Sequence, residues 1–152
     1  MNPSFLCALD EARRHLQRLE QADGRLPSKI TGAILESLED EGVAVLDQFL
    51  FRFLRLQDCL GVKLLRPYLV EVLREPMDDR PFRDSLDRLE RLGVIPSAER
   101  WEEIRRLRNV VTHDYPEEAD IKAARIEEAR VAVKDLAAIL ARIAADTERT
   151  HD

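Results

Sequence analysis

Apolar residues recur at intervals of three or four along most of the chain, the spacing that places side chains on one face of a helix. The first run extends over about residues 4–22 and ends at the turn-forming sequence DGRLPS, residues 23–28. Its apolar positions are Phe5, Leu9, Ala12, Leu16 and Leu19. This pattern predicts a first helix over residues 4–22.

The second helical run is longer. It extends over about residues 29–65, where Ser28 can cap it and where Gly42 and Gly61 are candidate points of irregularity. Its middle, VAVLDQFLFRFLRLQ, is apolar on nearly every side. A helix of this kind is buried all round or shares a face with another chain. The sequence leaves a monomer core and an oligomer interface equally open for this segment.

Further helices follow, and local signals mark where they begin and end. Pro67 occupies the first turn of a short helix in RPYLVEVLREP, and Gly93 ends the helix predicted in PFRDSLDRLERLGVIP. Ser97 caps the next helix, whose apolar stripe includes Trp101 as a structural residue. A last helix is predicted over about residues 117–145.

No segment alternates apolar and polar residues in the way that strands do, so the predicted fold class is all-α. The arrangement that we expect is an up-and-down bundle of four main helices plus short helices. The chain has 152 residues and no linker long enough to separate domains, so a single domain over residues 1–152 is predicted.

The composition is typical of a globular protein, and we expect it in the cytoplasm. Hydrophobic residues make up 45% and charged residues 36%, and no apolar run approaches the roughly 20 residues that cross a bilayer. The N-terminal sequence lacks the uninterrupted apolar stretch of a signal peptide. Cys7 and Cys59 are predicted to be small buried hydrophobes rather than a disulfide or part of a zinc site. No metal, no cofactor and no membrane association is predicted.

The net charge of −6 argues against a general nucleic-acid binder, which is usually basic. The charge is unevenly distributed, however. In residues 49–66 the only acid is Asp58, whereas the basic residues are Arg52, Arg55, Lys63 and Arg66. A local basic patch on an acidic protein is therefore compatible with the sequence.

The sequence RNVVTHDYP concentrates polar and titratable side chains at a helix end. These residues are Arg108, Asn109, His113 and Tyr115. Pro116 disfavours α geometry at the residue before it, so the helix is predicted to end near His113. On the last turns Asn109 lies one turn before His113, and Arg108 is long enough to swing towards the imidazole.

This combination suits the cleavage of a phosphodiester without a metal. An arginine binds a phosphate through two hydrogen bonds, and an imidazole gives or takes a proton at neutral pH. His113 could activate a ribose 2′-hydroxyl while Arg108 stabilises the phosphate. The reaction needs an acid as well as a base, and a two-fold dimer would supply both with two copies of His113. A structural alternative stays open, because both side chains also interact favourably with a helix C-terminus and Tyr115 could simply pack.

The sequence RNVVTHDY resembles the R-x-x-x-x-H-x-Y motif of HEPN-domain proteins, specifically the HepT-like toxins of type VII-like toxin–antitoxin systems. The flanking run DRLERLGVIPSAERWEEIRRLRNVVTHDYP is similar to the same family. The resemblance implies a homodimeric helical bundle that acts as a metal-independent ribonuclease, with Arg108 and His113 catalytic and Asn109 orienting His113. It also implies that a minimal nucleotidyltransferase antitoxin silences the enzyme by adenylylation of the Tyr115 hydroxyl from ATP.

Arg55 and Arg105 are the further residues that we expect to contact RNA. For Arg55 and for Asp58, which could reach the site from the second helix, a surface ion pair is the alternative. Outside the motif, the interpretations are a helix-face residue for His15, a packing residue for Tyr68 and a frayed tail for His151.

Two other functions stay open on the sequence alone. The same fold could serve as a non-catalytic, substrate-binding adaptor subunit of a minimal nucleotidyltransferase, although an adaptor does not need the pair of Arg108 and His113. The chain could also be an inert helical dimer in which the motif only packs, which predicts a buried Tyr115 and tolerance of His113→Ala. The ribonuclease is the function that we expect, with RNA as its substrate and the nucleotidyltransferase as its protein partner.

Overall fold

A computed structural model describes residues 1–113 and 118–151, and the chain is helical through most of these ranges. The elements in chain order are α1 (Pro3–Arg25), α2 (Gly32–Ser37), α3 (Asp40–Asp58), a π-helical segment (Cys59–Leu64), α4 (Leu65–Glu71), α5 (Phe82–Arg91), α6 (Ala98–Thr112) and α7 (Ala119–His151). No strand occurs in the described ranges, so the predicted all-α class is confirmed. None of the helices described has both the length and the apolar character needed to cross a bilayer.

Side chains before three of the helices satisfy backbone N–H groups that a helix start leaves unpaired. Asn2 caps α1 and, as predicted, Ser97 caps α6. The cap of α2 is Thr31, whose side chain accepts a hydrogen bond from the N–H of Ile34 at 3.2 Å. The predictions that Ser28 is a helix cap and that the second helix begins at residue 29 are therefore wrong.

The long second helix of the prediction is divided in two places. α2 and α3 are separated by Leu38 and Glu39, whose backbones are extended, close to the irregularity expected at Gly42. The other irregularity is the π-helical segment around Gly61, which joins α3 to α4. A Cβ atom at Gly61 would lie 3.1 Å from the ring of Trp101, so the absence of a side chain lets the π-helical segment approach α6.

The helices pack around a shared apolar core. α1 packs along α3, α2 packs against α7, and α6 contacts both α3 and α7. The largest fully buried side chains include Trp101, Tyr68, Phe49 and Phe53. Trp101 and Tyr68 are thus packing residues, as predicted, and the Tyr68 hydroxyl also donates a hydrogen bond to Asp146 of α7. This packing fixes α6, which carries the motif, against two other long helices.

Burial corrects the expectations for one cysteine and for the end of the last helix, and it defines the surroundings of His15. Cys59 is buried as predicted, but Cys7 lies on the outer face of α1 and is exposed. His15, predicted to be a helix-face residue, lies on the face of α1 that α3 covers, and it is only 7% exposed. α7 continues to His151 instead of ending near residue 145, since Thr147 in its last turns is buried.

Candidate functional site

The motif residues lie at the C-terminal end of α6. This helix ends at Thr112, whose hydroxyl donates to the carbonyl oxygen of Arg108 at 2.8 Å. His113 follows with an extended backbone (φ −93°, ψ 134°) and is exposed, so the predicted helix end is confirmed. Tyr115 lies outside the described residues, and the expectations about its modification or burial stay predictions.

The guanidinium of Arg108 is directed towards α3. Its Nη2 donates to the Oδ2 of Asp58 at 2.7 Å, and its Nη1 donates to the Oδ1 of Asn109 at 2.8 Å. The side chain of Arg108 is 23% exposed, and its Nε is buried without a hydrogen-bond partner in the described ranges. The arginine is therefore held in a defined position and does not project freely into solvent.

Asn109 contacts the arginine of the motif. We expected it to orient His113, because residues four apart share a face of a helix. His113, however, leaves α geometry, and the amide oxygen of Asn109 accepts its hydrogen bond from Arg108. A role of Asn109 towards the imidazole stays a prediction, whereas its contact with Arg108 is a property of the fold.

Asp58 lies outside the motif and contacts it through Arg108. It is the last residue of α3, directly before the π-helical segment, and it lies 50 positions before Arg108 in the chain. The sequence left two possibilities open for Asp58: that it reaches the site from the second helix, or that it forms a surface ion pair. A signal for its role was present, since it is the single acid among the basic residues of positions 49–66.

The two arginines expected to contact RNA lie in different surroundings. Arg105 is exposed on α6, one turn before Arg108. Arg55 turns towards α1, where its Nη2 lies 3.5 Å from the Oε1 of Glu11, and its side chain is 46% exposed. The structure thus places Arg105 beside the motif and pairs Arg55 with an acid of another helix.

Glu11 also neutralises part of the positive charge of residues 49–66. Glu11 of α1 accepts a hydrogen bond from the Nζ of Lys63 at 2.9 Å, and its carboxylate lies 3.5 Å from both Arg55 and the Nε2 of His15. The hydrogen bond from Lys63 is the largest effect on the pKa of Glu11, which is lowered. The local positive charge that the sequence shows in residues 49–66 is therefore partly neutralised by α1.

A cleft of about 760 Å³ lies beside His113, between α2, α3, the end of α6 and the start of α7. One wall is an outward-facing row on α3, here called the α3 stripe: Val43, Asp47, Leu50, Phe51 and Leu54. Two of its side chains are large, apolar and exposed, Val43 by 43% and Phe51 by 53%. Lys122 and Arg125 of α7 border the cleft on the other side. Sequence reasoning missed these two cations, because their approach to His113 depends on how α7 packs.

The described residues contain no group of three His, Cys, Asp or Glu side chains placed to share a metal ion. In general, a guanidinium such as that of Arg108 can bind a phosphate, and an imidazole such as that of His113 can transfer a proton. Comparison with known proteins gives no further indication: no protein-family model, no curated protein and no solved structure matches this chain.

Proposed function

We propose that this chain is a metal-independent endoribonuclease of the HEPN type that acts in the cytoplasm as the toxin of a toxin–antitoxin pair. The observation that carries the proposal is the end of α6, where Arg108 is held at 2.7 Å by Asp58 and the exposed His113 follows beside a cleft. A fixed guanidinium and an accessible imidazole, five residues apart in the sequence, can supply charge stabilisation and a general base for phosphodiester cleavage.

In the proposed reaction, the imidazole of His113 takes the proton of the ribose 2′-hydroxyl while the oxygen attacks the adjacent phosphorus. A bond from phosphorus to the 2′ oxygen forms, and the bond to the 5′ oxygen breaks. The products are a 2′,3′-cyclic phosphate and a 5′-hydroxyl, whose proton comes from a second imidazole in its protonated form. Arg108 stabilises the negative charge that builds on the phosphoryl oxygens.

The second imidazole in this proposal is His113 of a second copy of the chain. The proposed dimer has two-fold symmetry and joins two up-and-down, HEPN-like bundles through the α3 stripe. The exposed Val43 and Phe51, which both line the cleft, support this choice, since large apolar side chains exposed along one surface are typical of an interface. His113 lines the same cleft as the α3 stripe, so a copy docked there would carry its own His113 towards the first.

The proposed protein partner is a minimal nucleotidyltransferase that modifies Tyr115. Transfer of an adenylyl group from ATP forms a bond between the Tyr115 oxygen and the α-phosphorus, and pyrophosphate leaves. Tyr115 is two residues after His113 in the chain. An added phosphate would therefore compete with RNA for the guanidinium of Arg108, and its negative charge would repel the RNA backbone. Modification would therefore silence the enzyme without unfolding it.

The test is cleavage of RNA by the purified protein in excess EDTA, with intact-mass analysis to show that Tyr115 carries no adduct. We expect the wild type to cleave and both His113→Ala and Arg108→Ala to lose cleavage by about 100-fold or more, as expected for loss of a general base or of a charge-stabilising group. The matched controls are His151→Ala and Arg106→Ala, which remove an exposed histidine and an exposed α6 arginine and should cleave like the wild type.

Each alternative function predicts a different result in this experiment. An unmodified wild type that binds RNA and the nucleotidyltransferase but cleaves no RNA would make the chain the adaptor subunit. A wild type that neither cleaves nor binds RNA would indicate that the chain is the inert helical dimer. Cleavage that survives in His113→Ala would show that the activity belongs to a contaminant or to another site.

A further inference from the structure

We infer that Asp58 is a positioning residue of the proposed ribonuclease, which orients Arg108 towards the scissile phosphate. The inference rests on the proposed function and deepens it, because it adds a residue that lies outside the R-x-x-x-x-H-x-Y sequence. Asp58 is placed here by the fold and not by the motif, since 50 positions separate it from Arg108.

The contact between the two residues is short and half-buried. The Nη2 of Arg108 lies 2.7 Å from the Oδ2 of Asp58, and the two side chains are 23% and 40% exposed. A charge-assisted hydrogen bond of this length, partly shielded from water, restricts a side chain more than an ion pair in open solvent does. The pair therefore fixes a long side chain that would otherwise sample many rotamers.

The contact leaves donors available for a substrate. A guanidinium has four terminal N–H donors besides the one on Nε. Asp58 accepts from Nη2 and Asn109 accepts from Nη1, one donor each, and these are the partners that the described residues supply. One further donor on each terminal nitrogen can therefore serve a phosphate, which an arginine binds in a bidentate manner.

The pair of Asp58 and Arg108 lies one helical turn beyond a residue that lines the cleft. Leu54 lies one turn before Asp58 on the same face of α3 and lines the cleft that His113 lines from the other side. Asp58 thus anchors Arg108 at the end of the α3 stripe, about one helical turn from the cleft. In the proposed reaction, one phosphate contacts both this guanidinium and the imidazole of His113.

The charges on α3 make Asp58 hard to replace. It is the only acid in positions 49–66, and Arg55 lies one turn before it on the same helix. Without the carboxylate, the guanidinium of Arg108 would lose its acidic partner on α3, and Glu11 would only partly neutralise the nearby positive charge of Arg55. An uncharged replacement should therefore change where Arg108 points, and not only how firmly it is held.

The experiment compares Asp58→Asn with Asp135→Asn in the RNA cleavage assay in EDTA. Asp135 is a matched control, because it accepts a 2.9 Å hydrogen bond from Arg100, another α6 arginine, in a similarly half-buried pair away from the motif. We expect Asp58→Asn to lower kcat by roughly 10- to 100-fold, as misplacement of a reacting group does, with KM changed less than kcat. Asp135→Asn should keep the kcat of the wild type, and thermal unfolding of both variants checks that they are folded.

A double-substitution cycle tests whether Asp58 acts through Arg108. In an Arg108→Lys background with residual activity, Asp58→Asn should have little further effect, since the group that it orients is already altered. Asp58→Glu, which keeps the charge, should recover part of the lost kcat. A structural role alone would lower the unfolding temperature and would produce neither the coupling with Arg108 nor the rescue.

The outcomes separate this inference from the proposed function. If the unmodified wild type cleaves no RNA, both fail together. If the wild type cleaves and Asp58→Asn has the kcat of Asp135→Asn, or if its effect is simply additive with that of Arg108→Lys, the positioning role is overturned while the ribonuclease stands.

Discussion

The buried histidine of α1 illustrates how single residues depend on contacts that the sequence does not display. The Nδ1 of His15 lies 3.0 Å from Nη1 of Arg52 on α3, and its Nε2 lies 3.5 Å from the carboxylate of Glu11. Burial is the largest effect on the pKa of His15 and lowers it, and the positive charges of Arg52 and Arg55 act in the same direction while Glu11 opposes them. The neutral imidazole is thus the form that the fold stabilises.

This histidine should make stability depend on pH. Because its folded-state pKa is lowered, the unfolded chain takes up the proton first once the pH falls below about 6.5, the usual histidine value. The stabilisation is therefore complete above that pH and declines as the pH falls towards the lowered pKa. We expect His15→Gln, which retains hydrogen-bonding groups at this position and cannot titrate, to lose less stability than the wild type between pH 7.5 and pH 5.5.

Urea unfolding at the two pH values measures this difference. His151→Gln is the control, since it removes an exposed histidine from the end of α7 and should show the pH dependence of the wild type. Equal losses of stability in His15→Gln and the wild type would mean that the imidazole of His15 titrates alike in the folded and unfolded chain.

The residues of the site divide into those that a local pattern reveals and those that the fold brings together. His113 and Arg108 are recognisable because they belong to one short motif that ends at Pro116. Asp58 meets Arg108 only after α3 and α6 have packed, and 50 positions separate the two residues in the chain. The histidine and arginine of the motif were therefore recognisable by themselves, whereas for Asp58 the sequence left open whether it reaches the site or forms a surface ion pair.

Among the helices, the boundaries that local chemistry sets were predicted well and those that tertiary contacts set were not. α6 has the predicted limits, because Ser97 caps its start and Pro116 follows its end. The break between α2 and α3 falls at Leu38 and Glu39, which carry no glycine or proline signal. α7 extends past its predicted end, because Thr147 in its last turns is buried against the other helices.

The π-helical segment gives a prediction at the level of elements. A Cβ atom at Gly61 would lie 3.1 Å from the ring of Trp101, which is itself buried and unable to move aside easily. We expect Gly61→Ala to lower the free energy of unfolding by about 1 to 3 kcal/mol, the usual cost of overpacking a core. Denaturant unfolding measures the loss.

Gly24 provides the matched substitution. It lies in α1, and a Cβ atom there would meet nothing within 4 Å. Gly24→Ala should therefore raise the free energy of unfolding by up to about 1 kcal/mol, since alanine is the better helix former. If Gly61→Ala proves as stabilising as Gly24→Ala, the close approach between the π-helical segment and Trp101 is not a constraint on the fold.

On the scale of the whole molecule, the core buries only part of the apolar sequence VAVLDQFLFRFLRLQ of α3. Phe49 and Phe53 of α3 are fully buried, as a monomer core requires. Phe51 on the neighbouring face is 53% exposed and belongs to the α3 stripe. The sequence left core and interface equally open, and α3 has both a buried face and an exposed apolar one.

The proposed dimer can be tested by a charge on the α3 stripe. Burying a phenylalanine contributes about 1.5 to 3 kcal/mol, so Phe51→Glu should weaken self-association by at least about 10-fold. Light scattering across a dilution series should show a dimeric wild type and a monomeric Phe51→Glu, and the variant should lose RNA cleavage together with its dimer.

Val62→Glu is the control for this experiment. Val62 is 77% exposed on the π-helical segment, outside the α3 stripe, so a charge there should leave the dimer intact. A wild type that stays monomeric at micromolar concentration, or a Phe51→Glu variant that still dimerises, would place the second imidazole of the reaction elsewhere.

The contrast between the two cysteines provides the chain with a built-in reporter of local opening. Cys7 is exposed, while Cys59 is enclosed against α1, and burial raises the pKa of its thiol to about 12. Since the thiolate is the form that reacts with alkylating reagents, Cys59 should be labelled only when α1 separates from the π-helical segment. The ratio of the two labelling rates then measures how often this part of the protein opens, without any substitution and in the presence of any ligand or partner.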